Sequence, residues 1–405
     1  MRVVYICNWY SKSMGYSIAK IPKYAVRCNI SASLLTSERE VYGVRRFKSW
    51  YKDHLQAFLG APKKNSEISQ QDGFVLIRTK SFEVFKQIYL SRLSFFLRLL
   101  KPEIVQSGEL LGLTTVRLCL LKNRLRYQLV SECHIHASVF SDFNRKDIFT
   151  KIKWRIYRDT ISRFILSKID YVFAISEDSA FIANKFYGIK KEKICTIPMG
   201  IDFDYVPLES EWPAIRRRIR NFINIEENTF LCIYTGRIGP EKKVDVLVEA
   251  VQQLQVFGLN VKLLLIGNGA EGYLEKLRKI GLFYHLDFLN HSEIMDYYVS
   301  SDLGVWPSQE SISQLDALAC GTPILVSENI QAQERIFGEM LKLKEGSTED
   351  LIDKILYFYN NRQSLLDVAN RVKSFASDNL SWGTTLDKYY SLYQNLSDSK
   401  EKETR

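Results

Sequence analysis

The chain has 405 residues, 46% of them apolar and 25% charged, with 9 Pro, 20 Gly and a formal net charge of +10. That length exceeds one ordinary hydrophobic core, and the composition excludes a fibrous repeat or a largely disordered chain, so two domains of roughly 150 to 200 residues are expected. Seven scattered cysteines with no C-x-x-C pair argue against a disulfide framework or a zinc site, and no uncharged apolar run approaches the roughly 18 residues of a membrane span.

The cationic balance favours anionic partners: nucleic acid, anionic lipid or phosphorylated small molecules. Nucleic acid is disfavoured because no regular basic spacing accompanies a stacking platform. The cysteine usage suits a reducing cytoplasm, and "MRVVYICNWYS" reads as a first strand, not a signal peptide.

In chain order, β-branched and aromatic runs stand at 3–8, 30–36, 74–79, 104–107, 127–134 and 171–176. A second set stands at 230–236, 261–267, 286–290, 303–308 and 323–327. Helical patterns alternate with them, as parallel sheets with crossover helices require. The reading is α/β, with two doubly wound Rossmann-like domains facing a cleft. The expected domains are 1–204, 205–380, and 381–405 as a closing helix followed by a disordered tail from Ser397. Ligands of such sheets bind beyond the carboxyl ends of the strands.

His134 and His136, two of five histidines, follow the 127–134 run, where a strand-end imidazole is either structural or functional. Residues 145–168 hold eight Lys or Arg against two Asp. Ile148, Ile152 and Ile156 form one helical stripe and Lys151, Arg155 and Arg158 another, which suits either a helix lying on anionic lipid or one covering the core. The linker carries Asp202-Phe203-Asp204, a D-x-D that could suggest a metal.

In the second half, Gly236 turns the chain before Arg237 and Lys242, two cations able to hold a diphosphate or simply to cap a helix. Next comes "IGNGAEG" (266–272), a G-x-G-x-x-G whose Gly267 and Gly269 permit close backbone approach. A nicotinamide site also needs an acid at the end of the following strand. Asp287 is expected to begin that strand, so an NAD-dependent oxidoreductase is a minor alternative. In "WPSQESISQLDALACGTP", Ser308, Ser311 and Ser313 surround Glu310, and Asp316 lies in the first turn of a helix beginning near Ser313. It is there either for the macrodipole or for a sugar hydroxyl.

The series "GRIGPEKKVDVLVEA", "LLIGNGAE", "YYVSSDLGVWPS" and "LDALACGTPILVS" resembles the family 4 (group 1) retaining glycosyltransferases of the GT-B fold, of the bacterial cell-envelope polysaccharide type. Weaker agreement comes from "YVFAISEDSAFIANKFYGIKKEKICTIPMGID" and "SWGTTLDKYYSLY". The resemblance implies that Arg237 and Lys242 hold the donor diphosphate. Asp316 takes the place of the acid that binds the nucleotide ribose, and Glu310 that of the acid that contacts the donor sugar. The family's E-x7-E is two residues shorter here, with Asp for its second Glu. Ser311, Ile312 and Ser313 stand in place of its glycine-rich phosphate loop. Gly15 matches a donor-facing glycine, Gly236, Gly267 and Gly269 belong to the donor side, and His134 matches an active-site histidine. The implied reaction uses a UDP- or GDP-linked sugar, needs no metal and no protein nucleophile, and transfers to a glycan or lipid-linked acceptor at the cytoplasmic membrane face. A catalytically silent sugar-nucleotide or glycan-binding protein is the alternative.

Overall fold

The computed structural model describes residues 1–11, 17–39, 65–84, 87–135, 148–269, 271–330 and 332–404. Gly15 and His136 lie outside them. The chain divides into two compact units, Met1–Met199 with Trp382–Arg405, and Gly200–Ser381.

Unit 1 begins with β1 (Arg2–Ile6), α1 (Ser17–Arg27), β2 (Ser31–Ser37), β3 (Ile68–Gln71), β4 (Phe74–Thr79) and the hairpin strands β5 (Ser81–Val84) and β6 (Gln87–Leu90). Then come α2 (Leu93–Leu100), β7 (Ile104–Ser107), α3 (Leu113–Leu125), β8 (Gln128–Cys133), α4 (Ile148–Tyr157), a π-turn, α5 (Arg163–Leu166), β9 (Tyr171–Ala174), α6 (Glu177–Lys185) and β10 (Ile194–Thr196). The sheet order is β10-β9-β8-β7-β1-β2-β4-β3, parallel except for β3. Its direction of growth reverses between β1 and β7, the switch point where a doubly wound sheet opens to ligands.

Strands covered on both faces read as continuous apolar runs, and here the two faces carry different chemistry. Val4, Ile6, Leu129 and Cys133 pack with Leu97, Leu118, Leu166 and Ile182 in an apolar cluster beneath α2, α3, α5 and α6. Alternation along the strands sends Tyr5, Gln106 and Glu132 to the opposite face.

Unit 2 contains α7 (Trp212–Phe222), β11 (Phe230–Thr235), α8 (Val244–Val256), β12 (Val261–Ile266), α9 (Glu271–Ile280), β13 (Tyr284–Leu286), α10 (His291–Ser300) and β14 (Leu303–Trp306). It continues with α11 (Ser313–Ala319), β15 (Ile324–Ser327), β16 (Lys342–Leu343), α12 (Thr348–Asn360) and α13 (Arg362–Asn379). Its sheet is wholly parallel, β13-β12-β11-β14-β15-β16, the strand order 3-2-1-4-5-6 of dinucleotide-binding folds. The linker helix α7 docks through buried Arg220, whose guanidinium meets Asp302 at 2.8 Å and donates to the Thr229 and Ser300 carbonyls. The chain enters and leaves this unit side by side, with Ile201 bridged to Ser381.

The closing helix α14 (Trp382–Thr404) belongs to unit 1. Trp382 stacks on Tyr24 of α1, and Tyr389 meets Phe173 of β9 edge-on at 4.4 Å. The residues from Ser397 to Thr404, expected as a disordered tail, continue the helix. Lys and Glu are good helix formers, and the preceding turns are already anchored.

One strand expectation fails informatively. The run expected at 286–290 is a strand only at Tyr284–Leu286, paired with Leu264–Ile266. The next residues turn because Asn290 and Glu293 form a capping box that starts α10. Asp287 therefore follows its strand instead of beginning it.

Candidate functional site

In unit 2 the sheet reverses between β11 and β14, so the loops after these strands flank the opening. Thr235, the last residue of β11, ties them together: its carbonyl accepts from Trp306 Nε1 at 3.0 Å and Ser313 Oγ at 3.1 Å. Its hydroxyl meets Tyr298 Oη at 2.6 Å. Gly236 follows at φ +130°, and a Cβ there would lie 3.7 Å from Ser311 Oγ. Ser311 and Ser313 hydroxyls are 2.6 Å apart, and buried Arg335 donates to the Ser311 carbonyl at 3.0 Å.

Lys242 ends the short 3-10 turn Pro240–Lys242 and reaches across to the Glu310 carbonyl at 3.5 Å. Burial, and then the neighbouring Arg237 cation, lower its pKa; an anion would relieve both penalties. Arg237 is largely exposed and pairs with Glu241 at 2.6 Å. Gly236, Lys242, Glu310, Ser311 and Ser313 thus converge at one strand edge. Ile312 stands at the N-cap of α11, half-exposed, without a side-chain capping bond.

The acids behave differently from each other. Glu310 Oε1 accepts from the Ala332 amide at 2.8 Å, which fastens its loop to the one after β15. Asp316 is buried in the first turn of α11 and meets His291 Nε2 at 3.0 Å, while the His291 ring packs on Tyr205. Ser308 does not surround Glu310. Its hydroxyl donates to Glu345, as do Ser327 and Asn329, and Lys243 Nζ adds an ion pair at 3.0 Å. Burial opposes ionisation of Glu345, but these bonds outweigh it and bring its pKa down to about 2.

Gly267 and Gly269 serve the loops themselves. A Cβ on Gly267 would fall 2.0 Å from the Gly236 carbonyl oxygen, and one on Gly269 would fall 2.9 Å from that of Ile238. The two loops are zipped by Gly236 N to Ile266 O and Ile238 N to Asn268 O. A Cβ on Gly272 would meet nothing within 4 Å. The acid expected to be misplaced, Asp287, in fact sits at its strand end. The nicotinamide reading fails on topology instead, because "IGNGAEG" follows the second strand of the unit, whereas the fingerprint belongs after the first.

In unit 1, Asn8 follows β1 and Glu109 follows β7, across the switch point, and Asn8 Nδ2 donates to Glu109 Oε1. Thr114 in turn donates to Asn8 at 3.0 Å. Burial raises the Glu109 pKa to about 7. On the adjacent strand, His134 Nε2 lies 2.6 Å from Glu132, a fully buried carboxylate that also accepts from Ser17 and Gln106. Of this cluster only His134 was expected. The signal for Glu132 was a carboxylate inside an apolar strand run.

On α4, Ile148, Phe149, Ile152 and Ile156 are all exposed, so the isoleucine stripe does not cover the core. No described helix is long and apolar enough to cross a membrane. Asp202 of the D-x-D accepts from the Asp204 amide and caps a turn. Among the described residues no group of three His, Cys, Asp or Glu could share a metal ion.

Two family models divide the chain: "Glycosyltransferase Family 4" matches residues 58–205 and "Glycosyl transferases group 1" matches residues 229–361. The chain belongs to the group 1, family 4 glycosyltransferases. An uncharacterized glycosyltransferase of Methanocaldococcus jannaschii is 26% identical over 67% of this chain and 70% of its own length. A D-inositol 3-phosphate glycosyltransferase of Rhodococcus erythropolis is 24% identical over 57% of this chain and 54% of its own length. This glycosyltransferase therefore spans about half of that second relative. Its fold is GT-B. Sucrose-phosphate synthase from Thermosynechococcus elongatus matches at TM-score 0.70 and 14% identity over 98% of this chain and 99% of that one. Anabaena HepE in complex with UDP and glucose matches at 0.66 and 15% over 98% and 100%.

Proposed function

We propose that this glycosyltransferase moves a sugar, with retention at the anomeric carbon, from a UDP- or GDP-linked donor to a glycan or lipid-linked acceptor of the cell envelope. The observation that carries this reading is the convergence of a half-buried lysine, two serine hydroxyls and an exposed arginine at the unit 2 switch point. Breaking the bond between sugar C1 and the diphosphate releases an anion, and fixed donors placed where that charge develops lower the barrier. Lys242 supplies a desolvated point charge. Arg237 supplies a guanidinium whose exposed pair with Glu241 is worth at most about 1 kcal/mol, so it exchanges readily for phosphate oxygens.

Ser311, Ser313 and the backbone around Ile312 line the phosphates, and Gly236 lets them approach. Asp316, oriented by His291, takes the ribose hydroxyls. Glu310, its carboxylate held on the Ala332 amide, is assigned to shaping the sugar wall and presenting its carbonyl to Lys242. Gly267 and Gly269 keep the phosphate loop closed on its neighbour. These cations take the place of a metal, and no protein nucleophile is invoked. His134 is assigned to the donor sugar side and Gly15 to the donor phosphates.

The exposed isoleucine stripe of α4, beside Lys151 and Arg155 in a segment of net charge +6, supports peripheral docking on an anionic cytoplasmic membrane face. The test is hydrolysis and transfer from a panel of UDP- and GDP-sugars on an envelope lipid extract. Turnover that disappears in Arg237→Ala and Lys242→Ala supports the reading. Sugar-nucleotide binding without turnover by any donor would instead make the chain a silent binding protein.

A further inference from the structure

We propose that Glu132 is a positioning residue that fixes the tautomer and orientation of His134. The inference rests on the reading that His134 faces the donor sugar. Glu132 is the next-to-last residue of β8 and His134 is the first residue beyond the strand, and their side chains meet there. The Glu132 side chain is fully buried, and three donors close on its carboxylate: His134 Nε2 at 2.6 Å, Ser17 Oγ and Gln106 Nε2.

Gln106 is the adjacent-strand residue of β7, and its own carbonyl accepts from Tyr393 of α14. Ser17 Oγ also lies 3.2 Å from His134 Nε2. The chain of bonds runs Tyr393–Gln106–Glu132–His134, from the closing helix to the strand end. Every residue in it except His134 is at most 1% exposed.

A carboxylate removed from water is costly unless its oxygens are satisfied, and a network with every member paired specifies one arrangement. An ionised carboxylate only accepts, so the neutral imidazole must carry its proton on Nε2. The lone pair is then on Nδ1, available to accept from a sugar hydroxyl. Ser17, donating to the same carboxylate, keeps the ring from swinging. Gln at position 132 would keep the volume but bring an amide, which accepts more weakly and adds a donor facing Ser17, Gln106 and the imidazole.

The test is nitrogen-15 NMR of the imidazoles of the full chain, well above the ordinary histidine pKa of about 6.5. The His134 signal is assigned by its loss in His134→Gln. Wild type should show a single Nε2–H tautomer, and Glu132→Gln a mixture or the opposite one, with its thermal midpoint confirming a folded protein. In transfer assays Glu132→Gln should lower kcat by at least tenfold with donor KM within threefold, and Glu132→Asp should recover part of the loss. In a His134→Ala background Glu132→Gln should add little, since it acts through the imidazole. An unchanged tautomer in Glu132→Gln, or an equal loss in both backgrounds, would overturn the proposal. Full activity of His134→Ala would remove the role assigned to His134 toward the donor, and the NMR arm then decides the positioning by itself.

Discussion

The two sheets present opposite chemistry at equivalent places. At the switch point of unit 2 stand a lysine, an arginine paired with Glu241 and serine hydroxyls, while Glu310 is bonded to the Ala332 amide, Asp316 to His291 and Glu345 to Lys243. At that of unit 1 stand Asn8 and Glu109, with Glu132 and His134 on the neighbouring strand. On the proposed reading the first edge suits phosphate and the second suits hydroxyl groups, around carboxylates and an imidazole. A single doubly wound plan serves both, because function is decided by what the strand-end loops carry.

The strongest way to break this contrast is to remove a unit 2 cation. Lys242→Ala or Arg237→Ala should lower kcat/KM for transfer by about 10²–10³-fold, as loss of a donor to a developing anion does; a loss under fivefold would leave the phosphate assignment without its main support. In unit 1 a basic stretch runs along α4, with Lys151 and Arg155 on it. Reversing it with Lys151→Glu and Arg155→Glu should weaken binding to phosphatidylserine vesicles by about tenfold or more, at about 1 kcal/mol per removed cation. Nucleotide affinity should not move.

Glu345 and Glu109 sharpen the comparison through pH. Glu345 has a depressed pKa, so its stabilisation is present above the ordinary carboxylate range and is lost as pH falls toward about 2. Glu345→Gln should cost about 1–2 kcal/mol at pH 7 and flatten the acid limb of a denaturation series. Glu109 has the opposite sign. Its pKa is raised to about 7, so stability is full below the ordinary range and falls as pH rises through 7. Glu109→Gln should therefore raise stability at pH 8–9 by about 1 kcal/mol, with the gain vanishing near pH 4; a constant difference across pH would contradict the burial argument.

Much of the fold was legible because buried parallel strands write continuous apolar runs, and FVLIRT and IVQS coincide with β4 and β7. The cations after β11 were legible for the same reason: they follow a strand directly. The partners were not, since strand order brings them together. Lys243 meets Glu345 and His291 meets Asp316 only because β14, β15 and β16 stack outward from β11. The hairpin β5–β6 and the two-residue β16 lack the length or the apolar run to announce themselves. The G-x-G was legible as a close approach, but the group approached is the neighbouring loop.

Whether the unit 2 strand edge binds a nucleoside diphosphate is decided by calorimetric titration of UDP and GDP against wild type, Lys242→Ala and Glu132→Gln. One nucleotide should bind wild type and Glu132→Gln alike and weaken at least a hundredfold in Lys242→Ala. Equal affinity in Lys242→Ala, or tighter binding of NADH than of either nucleotide, would rule out a nucleoside diphosphate at this edge.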